Sequence, residues 1–183
     1  NCYESNRAMV SLDCIRAPLF VPADRPDRFA KAAASGADAV ILDLEDAVGP
    51  NAKSKARTAL DVTFTNLPII VRVNDVTTQW HFDDIAALRE LPLAAVMLPK
   101  TETVESLSTL SQGLPNVPIW ALIETAQGLA NTRAIAAAPP VTRLVFGSVD
   151  YCADLGCDHL REVLLPARCA LVLASRLAGR AAP

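Results

Sequence analysis

The chain has 183 residues, of which 51% are hydrophobic and 20% charged; this composition supports a buried core and excludes disordered, collagen-like and coiled-coil proteins. The formal net charge is −3 and the basic residues form no run, which argues against a nucleic-acid-binding surface. No apolar stretch reaches the roughly 18 residues that a membrane span needs and the sequence shows no signal-peptide pattern, so we expect a soluble, cytoplasmic protein.

Six short apolar segments predict the strands of an α/β fold. Each has at most eight residues, is mostly apolar on both faces and ends close to polar or charged residues, as buried parallel strands do. They lie at residues 19–23, 39–45, 68–74, 94–100, 118–124 and 143–150. Helix-like segments follow them, at residues 25–35, 52–60, 83–91, 104–110, 126–137 and 160–177. The strand ends are 22 to 29 residues apart, a period that is typical of an α/β barrel or a doubly wound sheet.

Two features favour a TIM-type (β/α)8 barrel over a doubly wound sheet. No glycine-rich turn follows the first predicted strand, and no P-loop sequence is present, although nucleotide-binding sheets carry one or the other. Polar and charged residues instead end most of the strands, and such residues meet at one edge of a barrel. We predict an N-terminal extension over residues 1–15 and a barrel domain over residues 16–183. Because a barrel has eight units and about 250 residues, six units predict a C-terminally incomplete domain.

Two acids end the fifth and sixth predicted strands and suggest a metal site. Glu124 and Asp150 are separated by one strand–helix unit, so their strands would be neighbours about 5 Å apart. Two adjacent carboxylates repel each other, and Mg²⁺ is commonly held by one or two carboxylates together with water and substrate oxygens. We therefore favour a metal site at these two residues over the alternative, in which each acid caps the following helix.

Arg72 ends an otherwise apolar predicted strand. A guanidinium in such a place needs an anionic partner, and its planar geometry suits a substrate carboxylate. A structural ion pair with Asp43 or Glu45 explains the sequence equally well. Strand alternation puts Asp43 and Glu45 on the same face, whereas Asp46 is expected in a loop or a helix cap.

Further cations lie near the predicted strand ends. Lys100 could serve as a Schiff-base amine if desolvated, but we prefer an ion pair with Glu102 or Glu45. Arg25 stands at the start of the first predicted helix, where it would suit the phosphate groups of a cofactor or thioester carrier. Its neighbours Arg28 and Lys31 could equally belong to a solvated helix face.

The five cysteines are scattered along the chain, which argues against a disulfide framework and for a reducing compartment. Cys152, Cys157 and His159 lie close together in sequence but lack a fourth ligand, so we prefer free thiols over a zinc site. The second histidine, His81, is expected in a polar loop, at the surface or beside the substrate. Because the chain has only two histidines, a serine–histidine or cysteine–histidine triad has few candidate bases.

Six segments together resemble the citrate lyase β-subunit-like family, which belongs with the malyl-CoA lyases and the HpcH/HpaI aldolases. They are residues 19–26, 35–48, 71–74, 97–100, 123–128 and 146–150, and the match runs from about residue 16 to about residue 179. The resemblance implies a Mg²⁺-dependent carbon–carbon lyase that cleaves a 3-hydroxy-acid thioester, of the citryl-CoA or citryl-acyl carrier protein type, to an acetyl thioester and a 2-keto acid such as oxaloacetate. A malyl-CoA or citramalyl-CoA lyase, or an incomplete barrel subunit that only binds ligand, remains an alternative.

The same resemblance implies roles for individual residues. In the family, acids that match Glu124 and Asp150 hold the metal, an arginine that matches Arg72 binds the keto-acid carboxylate, and the segment around Arg25 lies near the CoA or acyl-carrier arm. A homo-oligomer, a trimer or a hexamer, is also expected. The expected catalytic residues are Arg72, Glu124, Asp150 and Glu45, and the expected substrate-binding residues are Arg72, Arg25, Asp43 and Lys100.

Overall fold

The computed structural model describes residues 11–183, so most of the predicted N-terminal extension lies outside the described residues. Six parallel strands alternate with helices, which confirms the predicted α/β fold class of the TIM-barrel type. The strands are β1 (Pro18–Pro22), β2 (Ala39–Asp43), β3 (Ile69–Arg72), β4 (Ala95–Leu98), β5 (Ile119–Ile123) and β6 (Val141–Phe146). Each overlaps one of the predicted apolar segments.

Eight α-helices connect or follow the strands within residues 11–183. They are α1 (Phe29–Ala33), α2 (Lys53–Thr58), α3 (His81–Leu88), α4 (Val104–Gly113), α5 (Ala126–Ala130), α6 (Thr132–Ala137), α7 (Ser148–Leu155) and α8 (Arg161–Leu177). Short 3-10 turns span Leu12–Cys14, Pro26–Arg28 and Pro50–Ala52. Within this part of the chain, no helix is both long and apolar enough to cross a membrane.

The helices depart from the predicted segments at two places. The segment at 126–137 forms two helices, because the backbone of Asn131 leaves helical geometry between α5 and α6. The sixth strand begins and ends earlier than predicted, and a helix that the apolar pattern did not indicate, α7, follows it at once. Gly147 separates the two elements and serves as the N-cap of α7.

The chain divides into two compact units, one ending at Val96 and one running from Met97 to Pro183. In the first unit, β1, β2 and β3 pair in parallel in chain order. Its β2 and β3 are buried along their whole length, which explains why they are apolar on both faces. The largest fully buried side chains of this unit include Ile41, Leu42, Ile70 and Leu88.

In the second unit, β5 pairs in parallel with β6, and the register shifts near the start of β5. The backbone N–H of Thr101, after β4, donates to the carbonyl of Leu122 in β5 over 3.1 Å. Trp120 of β5 is 1% exposed, and the guanidinium of Arg143 from β6 stacks over its indole ring at 5.0 Å. These contacts hold β5 against its neighbours, and Glu124 directly follows this strand.

Candidate functional site

The first unit carries a cluster of three acids around Arg72, the last residue of β3. Arg72 donates from Nε to Asp43 Oδ1 over 2.7 Å and from Nη2 to Asp43 Oδ2 over 2.6 Å. Its Nη1 lies 2.9 Å from Glu45 Oε2 and 3.3 Å from Asp46 Oδ2, and the guanidinium stacks on Phe20 at 5.0 Å. The parallel register of β2 and β3 aligns Asp43 with Arg72. The structure therefore shows the ion pair that the sequence left as one of two alternatives.

The surroundings of Arg72 keep it charged. Burial by itself lowers the pKa of Arg72, but the hydrogen bond and charge of Asp43, together with the charges of Glu45 and Asp46, raise that pKa above its ordinary value. Asp43 is 1% exposed and also accepts hydrogen bonds from the backbone N–H groups of Glu45 and Ala47, at 2.9 and 3.1 Å. Asp43 is thus built to orient the guanidinium, while Nη1 faces the more exposed side of the cluster, where Asp46 lies.

A buried lysine, which the sequence analysis did not single out, holds the backbone next to this cluster. Lys53, the first residue of α2, donates from Nζ to the carbonyls of Leu44 and Glu45 over 2.6 and 2.7 Å. It also donates to Asn74 Oδ1 over 2.6 Å and lies over the ring of Trp80 at 5.1 Å. Burial lowers the pKa of Lys53, and nearby carboxylates partly oppose that effect. Its hydrogen bonds hold the backbone of the segment that follows β2, which carries Glu45.

The hydrogen bonds continue beyond Asn74, which follows β3. Its side-chain Nδ2 donates to Asp84 Oδ2 over 2.6 Å, and Asp84 Oδ1 accepts from Arg57 Nη1 over 3.1 Å. His81 Nδ1 lies 2.8 Å from the carbonyl oxygen of Asn74. The prediction of His81 in an exposed polar loop is wrong: it is the first residue of α3 and is fully buried. His81 is buried because the start of α3 packs against Asn74, the second residue after β3. The local sequence does not reveal this contact.

The second unit carries the two predicted metal ligands. Glu124 directly follows β5, is 3% exposed, and accepts a hydrogen bond at Oε1 from the backbone N–H of Lys100 over 2.8 Å. Its side chain packs on Gly147, where a Cβ atom would lie 2.7 Å from Glu124 Cβ and would also collide with Glu124 Oε2. Position 147 therefore has to be glycine for this carboxylate to keep its place.

Asp150 lies in the first turn of α7, so the prediction that it ends the sixth strand is wrong. The last ladder bond of β6 runs from the backbone N–H of Gly147 to the carbonyl of Ile123 over 3.0 Å, and Gly147 then serves as the N-cap of α7. Asp150 Oδ2 lies 3.6 Å from Lys100 Nζ, and both side chains are more than a third exposed. Such an exposed pair contributes little to stability.

Lys100 contacts both acids, each through a different group. Its backbone has φ 45°, a left-handed conformation, and it presents its N–H to Glu124 and its ammonium group to Asp150. Asp150 is not one of the two partners, Glu102 and Glu45, that the sequence suggested. A contact with a carboxylate nevertheless favours the ion-pair interpretation of Lys100 over the Schiff-base interpretation, which needs a desolvated amine. Among residues 11–183, no group of three or more His, Cys, Asp or Glu side chains could hold a metal ion, so a cation here would also need oxygens from water or substrate.

Arg25 lies just before the 3-10 turn Pro26–Arg28. It forms a two-pronged pair with Asp27, at 3.0 and 2.9 Å, and that hydrogen bond raises the pKa of Arg25. Arg28 and Lys31 line a pocket of about 600 Å³ beside the exposed Phe20 of β1. The expected role of Arg25 beside phosphate groups stays a prediction.

The comparisons with known proteins agree on one family. The HpcH/HpaI aldolase/citrate lyase profile matches residues 16–182. A (3S)-malyl-CoA thioesterase from Cereibacter sphaeroides is 37% identical over 146 residues, 77% of this chain and 51% of the relative. A citrate lyase subunit beta-like protein from Mycobacterium tuberculosis is 40% identical over 172 residues, 90% of this chain and 61% of the relative. The chain thus spans about half to two thirds of the length of these curated relatives.

Solved structures give the same result. The citrate lyase beta subunit from M. tuberculosis, complexed with oxaloacetate and magnesium, is 37% identical with a TM-score of 0.79, and the match covers 92% of this chain and 77% of that one. RipC from Yersinia pestis is 34% identical with a TM-score of 0.78, and the match covers 92% and 74% of the two chains. The chain belongs to the HpcH/HpaI aldolase/citrate lyase family.

Proposed function

We propose that this chain is a Mg²⁺-dependent carbon–carbon lyase of the citryl-CoA lyase type, which cleaves a 3-hydroxy-acid thioester to an acetyl thioester and a 2-keto acid such as oxaloacetate. The observation that carries the proposal is the buried carboxylate of Glu124, whose neighbour Lys100 also contacts Asp150. Relatives support it, since one is complexed with oxaloacetate and magnesium and another with magnesium, acetoacetate and coenzyme A.

The residues present fit a magnesium ion. Glu124 and Asp150 supply carboxylate oxygens, which Mg²⁺ prefers, and Mg²⁺ is usually held by one or two carboxylates with water and substrate oxygens in the remaining positions. Gly147 leaves room for Oε2 of Glu124, while Oε1 is oriented by the N–H of Lys100. When bound, the ion would polarise the keto-acid carbonyl as a Lewis acid.

The other site residues bind and orient. Arg72 would bind the keto-acid carboxylate through Nη1, because Asp43 already engages Nε and Nη2. The exposed side chain of Asp46 would move away from Nη1 to make room for it. Glu45 would then keep Nη1 oriented from its other side. Lys100 would neutralise Asp150 until substrate binds, and Arg25 would contact the phosphates of the thioester carrier.

Ligand-dependent thermal unfolding tests the proposal. Oxaloacetate, glyoxylate and pyruvate are each added with Mg²⁺ or with EDTA, and a ligand at about 100 times its dissociation constant should stabilise the protein by roughly 2.7 kcal/mol. We expect a shift that needs both metal and keto acid and that is lost in Glu124→Gln. Glu105→Gln, an exposed residue in the first turn of α4, is the matched control. A shift that survives EDTA or Glu124→Gln would contradict the proposed metal site.

The match to a malyl-CoA thioesterase favours a second candidate, hydrolysis of a malyl thioester. Product analysis with citryl-CoA, malyl-CoA and citramalyl-CoA separates the candidates. Lyase activity releases a keto acid and leaves the carrier acylated, whereas hydrolysis releases the whole hydroxy acid and a free thiol. Binding of metal and keto acid without either product would indicate a subunit that only binds ligand. Light scattering of the same sample tests the expected homo-oligomer.

A further inference from the structure

Two cysteines lie close together at the end of α7. The helix ends at Gly156, which has φ 68° and a left-handed conformation. The backbone N–H of Cys157 then donates to the carbonyl of Cys152 over 3.1 Å. This closure is the Schellman arrangement, which brings the side chains at its two ends into contact. This hydrogen bond holds the two residues close together although they are five positions apart in sequence.

The two thiols differ in their access to solvent. Cys152 is 8% exposed and belongs to a small apolar cluster with Tyr151 and Leu164. Cys157 packs against the same cluster but remains partly exposed. A reagent in solution can therefore reach Cys157 more readily than Cys152, which is the more buried of the two residues. Both are free thiols in the structure.

The neighbouring histidine is already engaged. His159 Nε2 lies 2.8 Å from the hydroxyl oxygen of Ser148 at the start of α7. This imidazole nitrogen therefore pairs with Ser148, and the dithiol consists of the two cysteines alone. A disulfide between them requires Cα atoms about 4.4–6.8 Å apart, and the backbone hydrogen bond between the two residues keeps their main chains close.

We propose that Cys152 and Cys157 form a reversible thiol–disulfide site whose reactant is a low-molecular-weight disulfide. The Cys157 thiolate attacks one sulfur of that disulfide, which breaks the S–S bond, gives a mixed disulfide at Cys157 and releases one small thiol. Cys152 Sγ then loses its proton to solvent and attacks Cys157 Sγ, which releases the second small thiol and leaves the Cys152–Cys157 bond. Two protein thiols are oxidised and one small disulfide is reduced. The site does not depend on the proposed lyase function.

The test uses oxidised glutathione as the probe. The native chain is incubated with it, remaining thiols are alkylated in acid, and the peptides are mapped by mass spectrometry. We expect a cross-link between Cys152 and Cys157 with the loss of two hydrogen atoms, reversed by dithiothreitol, and no lasting glutathione adduct at Cys157. Cys152→Ser should instead trap glutathione on Cys157, because the second thiol is missing. Cys169→Ser, an exposed cysteine on α8, should leave the cross-link unchanged.

Three results would overturn the proposal. They are a lasting glutathione adduct at Cys157 in the unaltered chain, a cross-link from either residue to another cysteine, and adduct formation at Cys169 while the dithiol stays reduced. Cys157→Ser provides a second variant if Cys152→Ser does not fold. In Cys157→Ser the buried Cys152 should take up no glutathione, and an adduct there as rapid as that at Cys169 would also refute the assigned order of attack.

Discussion

Replacing Lys53 by methionine would remove the ammonium group that supports the Arg72 cluster while keeping the length of the side chain. Three buried acceptors would each lose one donor: the carbonyls of Leu44 and Glu45 and the side-chain oxygen of Asn74. The carbonyls keep a second donor, Asn74 Nδ2 for Leu44 and the backbone N–H of Val48 for Glu45, so the loss falls mainly on Asn74 Oδ1. Each buried acceptor left without a partner costs about 1–3 kcal/mol. The burial of the ammonium, which lowers the pKa of Lys53, is relieved in the variant and offsets part of that cost. We therefore expect a net loss of about 1–3 kcal/mol, the cost of one buried acceptor left without a partner.

Urea denaturation at neutral pH measures this loss as a fall in the transition midpoint at a constant slope. The matched control is Lys55→Met on the same helix, where the side chain is exposed; a surface change of this kind stays within about 0.5 kcal/mol. A loss of less than about 1 kcal/mol in Lys53→Met, or one equal to that of the control, would refute the supporting role of Lys53.

Three further variants have definite expected outcomes. In Gly147→Ala the new Cβ collides with Glu124, so we expect loss of the Mg²⁺-dependent keto-acid shift; Gly49→Ala, with open space around it, should keep the shift. Two backbone N–H groups hold the pKa of Asp38 below its ordinary range, so its stabilisation is present above its unfolded-state pKa and is lost as pH falls through the folded-state value. Asp38→Asn should flatten the acid limb of stability against pH, and an unchanged limb would contradict this. Thr125→Ala removes the N-cap of α5 and should lower stability by about 1 kcal/mol; unchanged denaturation would show the cap to be dispensable.

Local patterns in the sequence were sufficient for the strands and for several site residues. Buried parallel strands are continuous apolar runs, so β2, β3 and β5 could be located without knowing their neighbours. Glu124 and Arg72 stand out because each is charged and adjoins or ends such a run, where burial demands a partner or a ligand. Strand alternation likewise put Asp43 and Glu45 on one face, and the structure brings both to Arg72.

Tertiary structure decided the rest, because the partners involved are far apart in sequence. Lys53 bonds to Asn74 across 21 residues, and nothing near Lys53 distinguishes it from an exposed helical lysine such as Lys55. His81 is buried because α3 packs back onto the end of β3. The short helix α7, which carries Asp150, has Gly147 as its N-cap, and a larger residue at that position would collide with the buried Glu124. Composition and periodicity determine which segments enter the core, whereas the contacts between segments determine which polar side chains follow them.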